Sequence, residues 1–381
     1  MRIAVYHHLP PTGGSMRVLS EYARRTRHRL TIYTRTPALP DALIEADAAD
    51  EVHRMPLPEH GTRMGRLRLL RDLPRHGAEL ARRIDGDGHD AVLVLPSQLV
   101  QAPEVLPFLR TPSTYFAFEH LRAVYDELPR VGRRGLRDAL VRAGLDPYER
   151  RRRALDRRFV RSAPHVITLS RHIARRLREV YGVESDVVRL GVDADVFSPG
   201  AGRRDGYVLS VGALHPLKGH QDVIDAVATL PSPRPPLVIC GDRGELAGEL
   251  ESRAARSGVE LQIRRAIDSD ALVDLYRRAG VLACAQVQEP FGLIAVEGMA
   301  TATPVVAVDE GGLAESLTQD RTGLLVPRDP RALGAAIGRV LGSPELATAL
   351  GRAGRAEAVR DWTWGSTAAT LDDLLERRAS A

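Results

Sequence analysis

Glu289 and Glu297 close the two ends of EPFGLIAVE, with seven residues between them. Two carboxylates at that spacing suit an elongated ligand rich in hydroxyls. The first follows an apolar run, VLACA (281–285), and opens a Pro-Phe-Gly turn; the second lies in LIAVEGMA, which reads as a helix. The first turn of such a helix presents the backbone N–H groups of Phe291, Gly292 and Leu293, which have no partner inside the helix and attract anions. A helix starting near Gly292 carries Glu297 roughly 8 Å along its axis at about 1.5 Å per residue, about the span of a diphosphate. The ligand expected from these groups is a nucleotide-sugar. Its phosphates would sit on the helix start, its sugar hydroxyls on Glu289 and its ribose diol on Glu297, through charge-assisted hydrogen bonds.

The basic residues add a cation. Of 54 lysines and arginines, 53 are arginine, and the one lysine is Lys218 in the LKG loop. A lysine there is a compact, mobile point charge suited to a diphosphate, whereas the flat arginine fork needs different room. Gly13 and Gly14 follow the first apolar run and precede a helical one. Such a loop lets backbone approach a phosphate, since glycine tolerates positive φ and has no side chain to clash. His120, after STYFAF (113–118), is the candidate catalytic histidine, with Glu119 beside it as an alternative polar group. His7 and His8 read as loop or core histidines. Asp85-Gly86-Asp87 is a literal Asp-x-Asp, but turn chemistry accounts for it and no metal site is expected.

These groups need elements to hold them. Short apolar strands alternate with helical patterns, which predicts βαβ units and parallel sheets. The strands expected in the first half are 2–7, 29–34, 90–95, 113–118 and 165–170; in the second, 207–212, 236–241, 259–263, 280–285, 304–308 and 323–327. The polar Pro/Gly-rich segment FSPGAGRRDG (197–206) reads as the linker between two domains. Ligands of such sheets sit beyond the C-terminal ends of the strands.

At 381 residues the chain is long enough for two cores, and 44% hydrophobic with 27% charged residues is ordinary for a globular protein. No apolar stretch approaches the length of a membrane span, and the first apolar run is too short for a signal peptide's core. Cys240 and Cys284 both end apolar runs and read as buried, reduced thiols, which points to the cytoplasm. Residues 1–200 carry a net charge of +9 and the rest −4. Residues 130–161 hold 12 arginines against four acidic residues, with Leu136, Leu140, Tyr148, Leu155 and Phe159 at helical spacings. A peripheral contact with the inner membrane face is one reading of that basic segment and a solvated helix face is the other. Aromatic residues are 4% and no nucleic-acid motif is present, so no nucleic-acid partner is expected.

Residues 289–326, EPFGLIAVEGMATATPVVAVDEGGLAESLTQDRTGLLV, resemble the signature of glycosyltransferase family 4, the retaining glycosyltransferases of GT-B fold. YVLSVGALHPLKGHQDVIDA (207–226), VITLSRHIARRLREVYG with RLGVDADVFSP (166–199), and PPTGGSMRVLSEYARR (10–25) resemble other segments of that family in the right order. The resemblance implies an α/β GT-B fold, two Rossmann-like βαβ domains facing across a cleft. The first would be an acceptor-binding domain, residues 1–199 with a returning helix in 362–381; the second, residues 200–361, would bind the donor. Trp362 and Trp364 read as packing anchors there. The implied activity moves a hexose from a UDP- or GDP-linked donor to a small-molecule, glycan or lipid-linked acceptor hydroxyl, with retention and no obligatory cofactor. Glu289 and His120 take catalytic positions in this reading. Gly13, Gly14, Gly212, Lys218, Glu289, Phe291, Gly292, Leu293 and Glu297 hold the donor. The chain departs from the family at Ala213, where arginine is frequent, and at Ala302, where glycine is common. An epimerase or hydrolase acting on the same donor, or a catalytically weak scaffold subunit, would carry the same donor residues.

Overall fold

The computed structural model describes residues 1–10, 13–36, 49, 51–58, 61–126, 146–242 and 244–380. The chain divides into two compact units, passing from the first to the second after Arg189 and returning after Ser366.

The first unit is built on a seven-stranded sheet: β1 (Arg2–His8), β2 (Arg29–Thr34), β3 (Glu51–Arg54), β4 (Ala91–Ser97), β5 (Ser113–Ala117), β6 (Val166–Thr168) and β7 (Asp186–Val187). Its order is β3-β2-β1-β4-β5-β6-β7 with every pairing parallel. The helices among its described residues are α1 (Gly14–Ala23), α2 (Arg63–Gly86), α3 (Arg122–Tyr125), α4 (Pro147–Ser162) and α5 (Arg171–Tyr181). Inner strands of a parallel sheet are covered on both faces, so they read as unbroken apolar runs, and β4 is buried from end to end. The edge strands β3 and β7 were not expected from sequence. EVHR is polar and half exposed, and β7 has only two residues, so neither carries an apolar run to read.

The second unit repeats the plan on six parallel strands: β8 (Val208–Val211), β9 (Leu237–Cys240), β10 (Leu261–Arg264), β11 (Val281–Cys284), β12 (Val305–Val308) and β13 (Leu324–Val326). Their order is β10-β9-β8-β11-β12-β13. The helices are α6 (His220–Ala228), α7 (Ala247–Ser257), α8 (Ser269–Arg278), α9 (Leu293–Ala300), α10 (Leu313–Ser316), α11 (Pro330–Leu341) and α12 (Pro344–Asp361). The strand order reverses between β8 and β11, and such a switch point opens a crevice beyond the strand ends. Helices α8, α11 and α12 begin on Asp268, Asp329 and Ser343, whose side chains accept the N–H of Ala271, Ala332 and Leu346. By contrast, α6 and α9, which follow the two strands at the switch point, open on Gly219 and Gly292 with no side-chain cap. The first turn of a helix without such a cap carries local positive charge.

FSPGAGRRDG lies inside the second unit rather than between the two. Phe197 is buried edge-on against Tyr276, and Arg277 donates to Ser198. Arg204 donates to the carbonyls of Arg277, Ala279 and Ala302, which binds the segment to the end of α8. Trp362 and Trp364 are buried in this unit too. From Thr367 the last helix, α13 (Trp364–Ala379), belongs to the first unit. There Asp372 accepts from Tyr22 and Thr26, and Arg27 pairs with Asp373.

The arginine cluster at 130–161 is described only from Asp146 onward, so Leu136 and Leu140 lie outside the described residues. In α4, Leu155 and Phe159 face the core. Arg152, Arg153, Arg157 and Arg161 donate to the carbonyls of Leu99, Val124, Val180 and Tyr181. Asp85 accepts from Arg110 and Thr111, and Asp87 accepts from Tyr33 and Arg83, so both carboxylates of the Asp-x-Asp are engaged in the fold. Among the described residues no helix is long and apolar enough to cross a membrane.

Candidate functional site

The strand exits of β8 and β11 bring Lys218 and Glu289 together: Nζ of the lysine lies 2.8 Å from Oε2 of the glutamate. Both side chains keep partial access to solvent, 33% and 21% exposed. After β8 the chain turns at Gly212, whose φ is +149°, and the methylenes of Lys218 lie 3.1–3.3 Å from where a Cβ on that glycine would stand. A side chain at 212 would push the lysine away. Pro216–Lys218 form a single 3-10 turn capped by His215, whose Nδ1 accepts the N–H of Leu217. Gly219 then adopts φ +67°, and a Cβ there would meet the carbonyl oxygen of Ala285, just beyond β11, at 1.8 Å. The Lys-Gly pair is thus a cation followed by the residue that allows its loop to touch the next strand. Val287 N–H donating to Leu217 O at 2.9 Å completes that contact.

His220 holds the loop from below. It is fully buried, with Nδ1 2.9 Å from Ser210 Oγ and Nε2 3.1 Å from Gly212 O. Donation from Nε2 to the carbonyl leaves Nδ1 to accept from the serine. Burial lowers its pKa to about 4, against the opposing pull of the backbone carbonyls, so the ring is neutral at ordinary pH.

The Pro-Phe-Gly turn is fixed by a second loop. Gly312 N–H donates to Glu289 O at 2.6 Å, and a Cβ on Gly311, at φ +61°, would stand 2.7–2.8 Å from the Glu289 backbone. Ser316 donates to Phe291 O, and the buried Phe291 ring packs edge-on against Trp362 at 5.6 Å. Gly292, at φ +106°, starts α9 with Leu293 as its first residue. Glu297 is deeper than expected from sequence. It is 4% exposed, and its Oε2 accepts from the hydroxyl of the fully buried Tyr276 at 2.8 Å.

In the first unit, Gly13 (φ +108°) and Gly14 open α1 after β1, and a Cβ on either would meet nothing within 4 Å. His120, the candidate catalytic histidine, is enclosed by the fold. It is 2% exposed, with Nε2 2.6 Å from Asp126 Oδ1, and its Nδ1 has no hydrogen-bond partner among the described residues. Asp126 also accepts from Arg176 and Arg122. Burial alone would raise the Asp126 carboxyl, but the hydrogen bonds from His120, Arg176 and Arg122 hold it well below the usual carboxylate range. His7 is also fully buried, and burial followed by the neighbouring His8 lowers its pKa to about 3.

Sequence reading missed Tyr276, His220, Gly311, Gly312 and Arg328. Tyr276 looks like any core aromatic three residues after Val273, and Arg328 is one of 53 arginines. The glycine pair in DEGG, by contrast, lies within the segment already singled out.

The model of "Glycosyltransferase Family 4" matches residues 13–196, and that of "Glycosyl transferases group 1" matches 192–357. Among curated relatives, a D-inositol 3-phosphate glycosyltransferase of Acidothermus cellulolyticus is 34% identical over 307 residues, 72% of this chain and 64% of the relative. An MMP alpha-(1->4)-mannosyltransferase of Mycolicibacterium hassiacum is 32% identical over 58% of this chain and 56% of its own length. The chain therefore spans less than two thirds of the length of these relatives. Sucrose-phosphate synthase of Thermosynechococcus elongatus has the same fold, with a TM-score of 0.79 and 21% identity over 99% of this chain and 98% of its own. Anabaena HepE, solved in complex with UDP and glucose, has a TM-score of 0.73 and 19% identity over 99% of both chains. Matched from residue 13 to residue 357 by the two models in succession, the chain belongs to the group 1, family 4 glycosyltransferases of GT-B fold.

Proposed function

We propose that this chain is a retaining hexosyltransferase that takes a hexose from a UDP- or GDP-linked sugar to an acceptor hydroxyl, in the cytoplasm and without an obligatory cofactor. The observation that carries the reading is the Lys218–Glu289 pair at the β8/β11 switch point, beside the uncapped start of α9. A donor would exchange partners with that pair. Its diphosphate takes the ammonium and the N–H groups at Gly292 and Leu293, and its sugar hydroxyls take the freed Glu289 carboxylate. A partly exposed ion pair is worth on the order of 1 kcal/mol, so the exchange has little to overcome. As the anomeric C–O bond to the diphosphate breaks and the bond to the acceptor oxygen forms, negative charge grows on the leaving phosphate. Lys218 and the helix start stabilise that charge where it develops. The acceptor's proton goes to the departing phosphate oxygen. Glu297, steadied by Tyr276, takes the ribose.

The acceptor belongs to the first unit in this reading, near the open glycines 13 and 14. His120 is its polar group, held in one tautomer by Asp126 with Nδ1 left to meet a hydroxyl. Since the ring is only 2% exposed, that contact requires the side chains enclosing it to give way. The named activities of the relatives and the UDP and glucose held by HepE support the donor class.

A thermal-shift screen of UDP-glucose, UDP-galactose and GDP-mannose tests the donor. The right one at a hundredfold excess over Kd adds about 2.7 kcal/mol of stability. Lys218→Ala and Glu297→Ala should each abolish the shift, and wild-type donor affinity in both variants would sink the site assignment. Sugar products formed from donor alone would instead mark a hydrolase or epimerase.

A further inference from the structure

We propose that Arg328 is a positioning residue of the donor site, a clamp that holds three loops in the register that brings Lys218 to Glu289. The proposal rests on reading that pair as the donor site. Arg328 follows β13 in LLVPRD. Its Nη1 donates to Ala285 O at 2.8 Å and to Asp222 Oδ2 at 2.6 Å. Its Nη2 donates to Gln286 O at 2.8 Å and to Glu310 Oε2 at 3.0 Å, and its Nε donates to Glu310 Oε1 at 2.9 Å. A guanidinium has five N–H donors, and all five are used. Arg328 is therefore no phosphate ligand in this arrangement.

Each partner belongs to an element that makes the site. Ala285 and Gln286 are the exit of β11, on the way to Glu289. Ala285 O is also the atom against which Gly219, next to Lys218, is packed. Asp222 is in the first turn of α6, directly after the Lys-Gly loop. Glu310 precedes the two glycines that seat the Glu289 backbone. Without the guanidinium, two carbonyls lose their donors and two carboxylates lose their counter-charge beside the place where a diphosphate binds. Both effects oppose anion binding. A lysine offers three donors from one point and cannot span a bidentate carboxylate and two carbonyls together.

The full chain is titrated calorimetrically with UDP and with GDP, as wild type and as Lys218→Ala, Arg328→Met, Arg328→Lys and Arg355→Met. All titrations are run at a temperature where circular dichroism shows every variant folded. Arg355 is the structural control: it bonds the carbonyls of Ala194, Phe197 and Ala300 in the same unit but none of the three loops. The expected result is affinity about tenfold or more weaker in Arg328→Met, the size of a lost charge-assisted hydrogen bond. Arg328→Lys should recover only part of it, while Arg355→Met binds as wild type despite a lower Tm. Near-wild-type affinity in Arg328→Met, with binding lost in Lys218→Ala, overturns the clamp alone. An equal loss in Arg355→Met also overturns it, because general softening then explains the effect. If wild type binds neither nucleotide, or Lys218→Ala binds as wild type does, the donor-site reading fails and the clamp falls with it.

Discussion

Lys218 and Glu289 neutralise each other at 2.8 Å, and in the proposed site each exchanges that partner for a group of the donor. Glu297 stands differently, since a buried carboxylate depends on the bonds it already has. The Tyr276 hydroxyl, 2.8 Å from Oε2, is one of them. Replacing it by hydrogen in Tyr276→Phe keeps the ring and removes only the donor, and an unsatisfied buried acceptor costs about 1–3 kcal/mol. We expect the variant to lose that much stability in urea and to bind UDP or GDP several-fold more weakly. Unchanged stability together with unchanged affinity would mean the phenol does not hold Glu297 in place. The two kinds of residue also differ in how legible they were. Glu289 and Lys218 stand out because their types are rare or oddly spaced in their surroundings. Tyr276 and Arg328 act through geometry that no spacing reports, one from a separate helix and one from a strand end more than a hundred residues from the loop it clamps.

The elements were read more fully than their ends. Apolar runs located the inner strands of both sheets because double-sided burial demands them, whereas β3 and β7 lie at an edge where burial demands little. Helix α9 shows how a departure noticed in sequence acquires a cause. Thr301 is its C-cap and Ala302 the next residue, at φ +55°. Ala302 N–H donates to Met299 O, and Thr303 N–H donates to Gly298 O. That pair of bonds is a Schellman ending, in which the left-handed position favours glycine. Alanine there bears a steric cost of roughly 1–2 kcal/mol, reduced by the extra freedom glycine gives the unfolded chain. Ala302→Gly should therefore stabilise the second unit by up to about 1 kcal/mol, read as a higher urea midpoint with an unchanged slope. A lower midpoint would show that the Ala302 side chain contributes packing worth more than the strain.

At the scale of the molecule, the two units differ in how acid should act on them. The first holds His7, with a pKa near 3, and Asp156, pushed up to about 7 by burial against the bonds from Tyr181 and Ala102. A depressed histidine favours the folded state as pH rises through the window below 6.5. A raised aspartate opposes it between about 4 and 7, because the folded form then holds a proton the unfolded chain releases. The two slopes oppose each other, and His89, whose pKa is also lowered by burial, adds to the side of His7. The second unit holds His220, neutral when folded down to about pH 4 but protonated below about 6.5 when unfolded. Below 6.5 the unfolded state binds more protons, so stability falls as pH drops from about 6.5 to 4, by on the order of 3 kcal/mol in all. Both tryptophans of the chain, Trp362 and Trp364, are buried in this unit, so fluorescence during urea unfolding reports it selectively. Wild type should show a falling midpoint between pH 6.5 and 4.5, and His220→Gln, which cannot titrate, should be less stable at pH 7.5 yet nearly flat across that range. A wild-type midpoint independent of pH, or an equally steep fall in the variant, would remove His220 as the source of the slope.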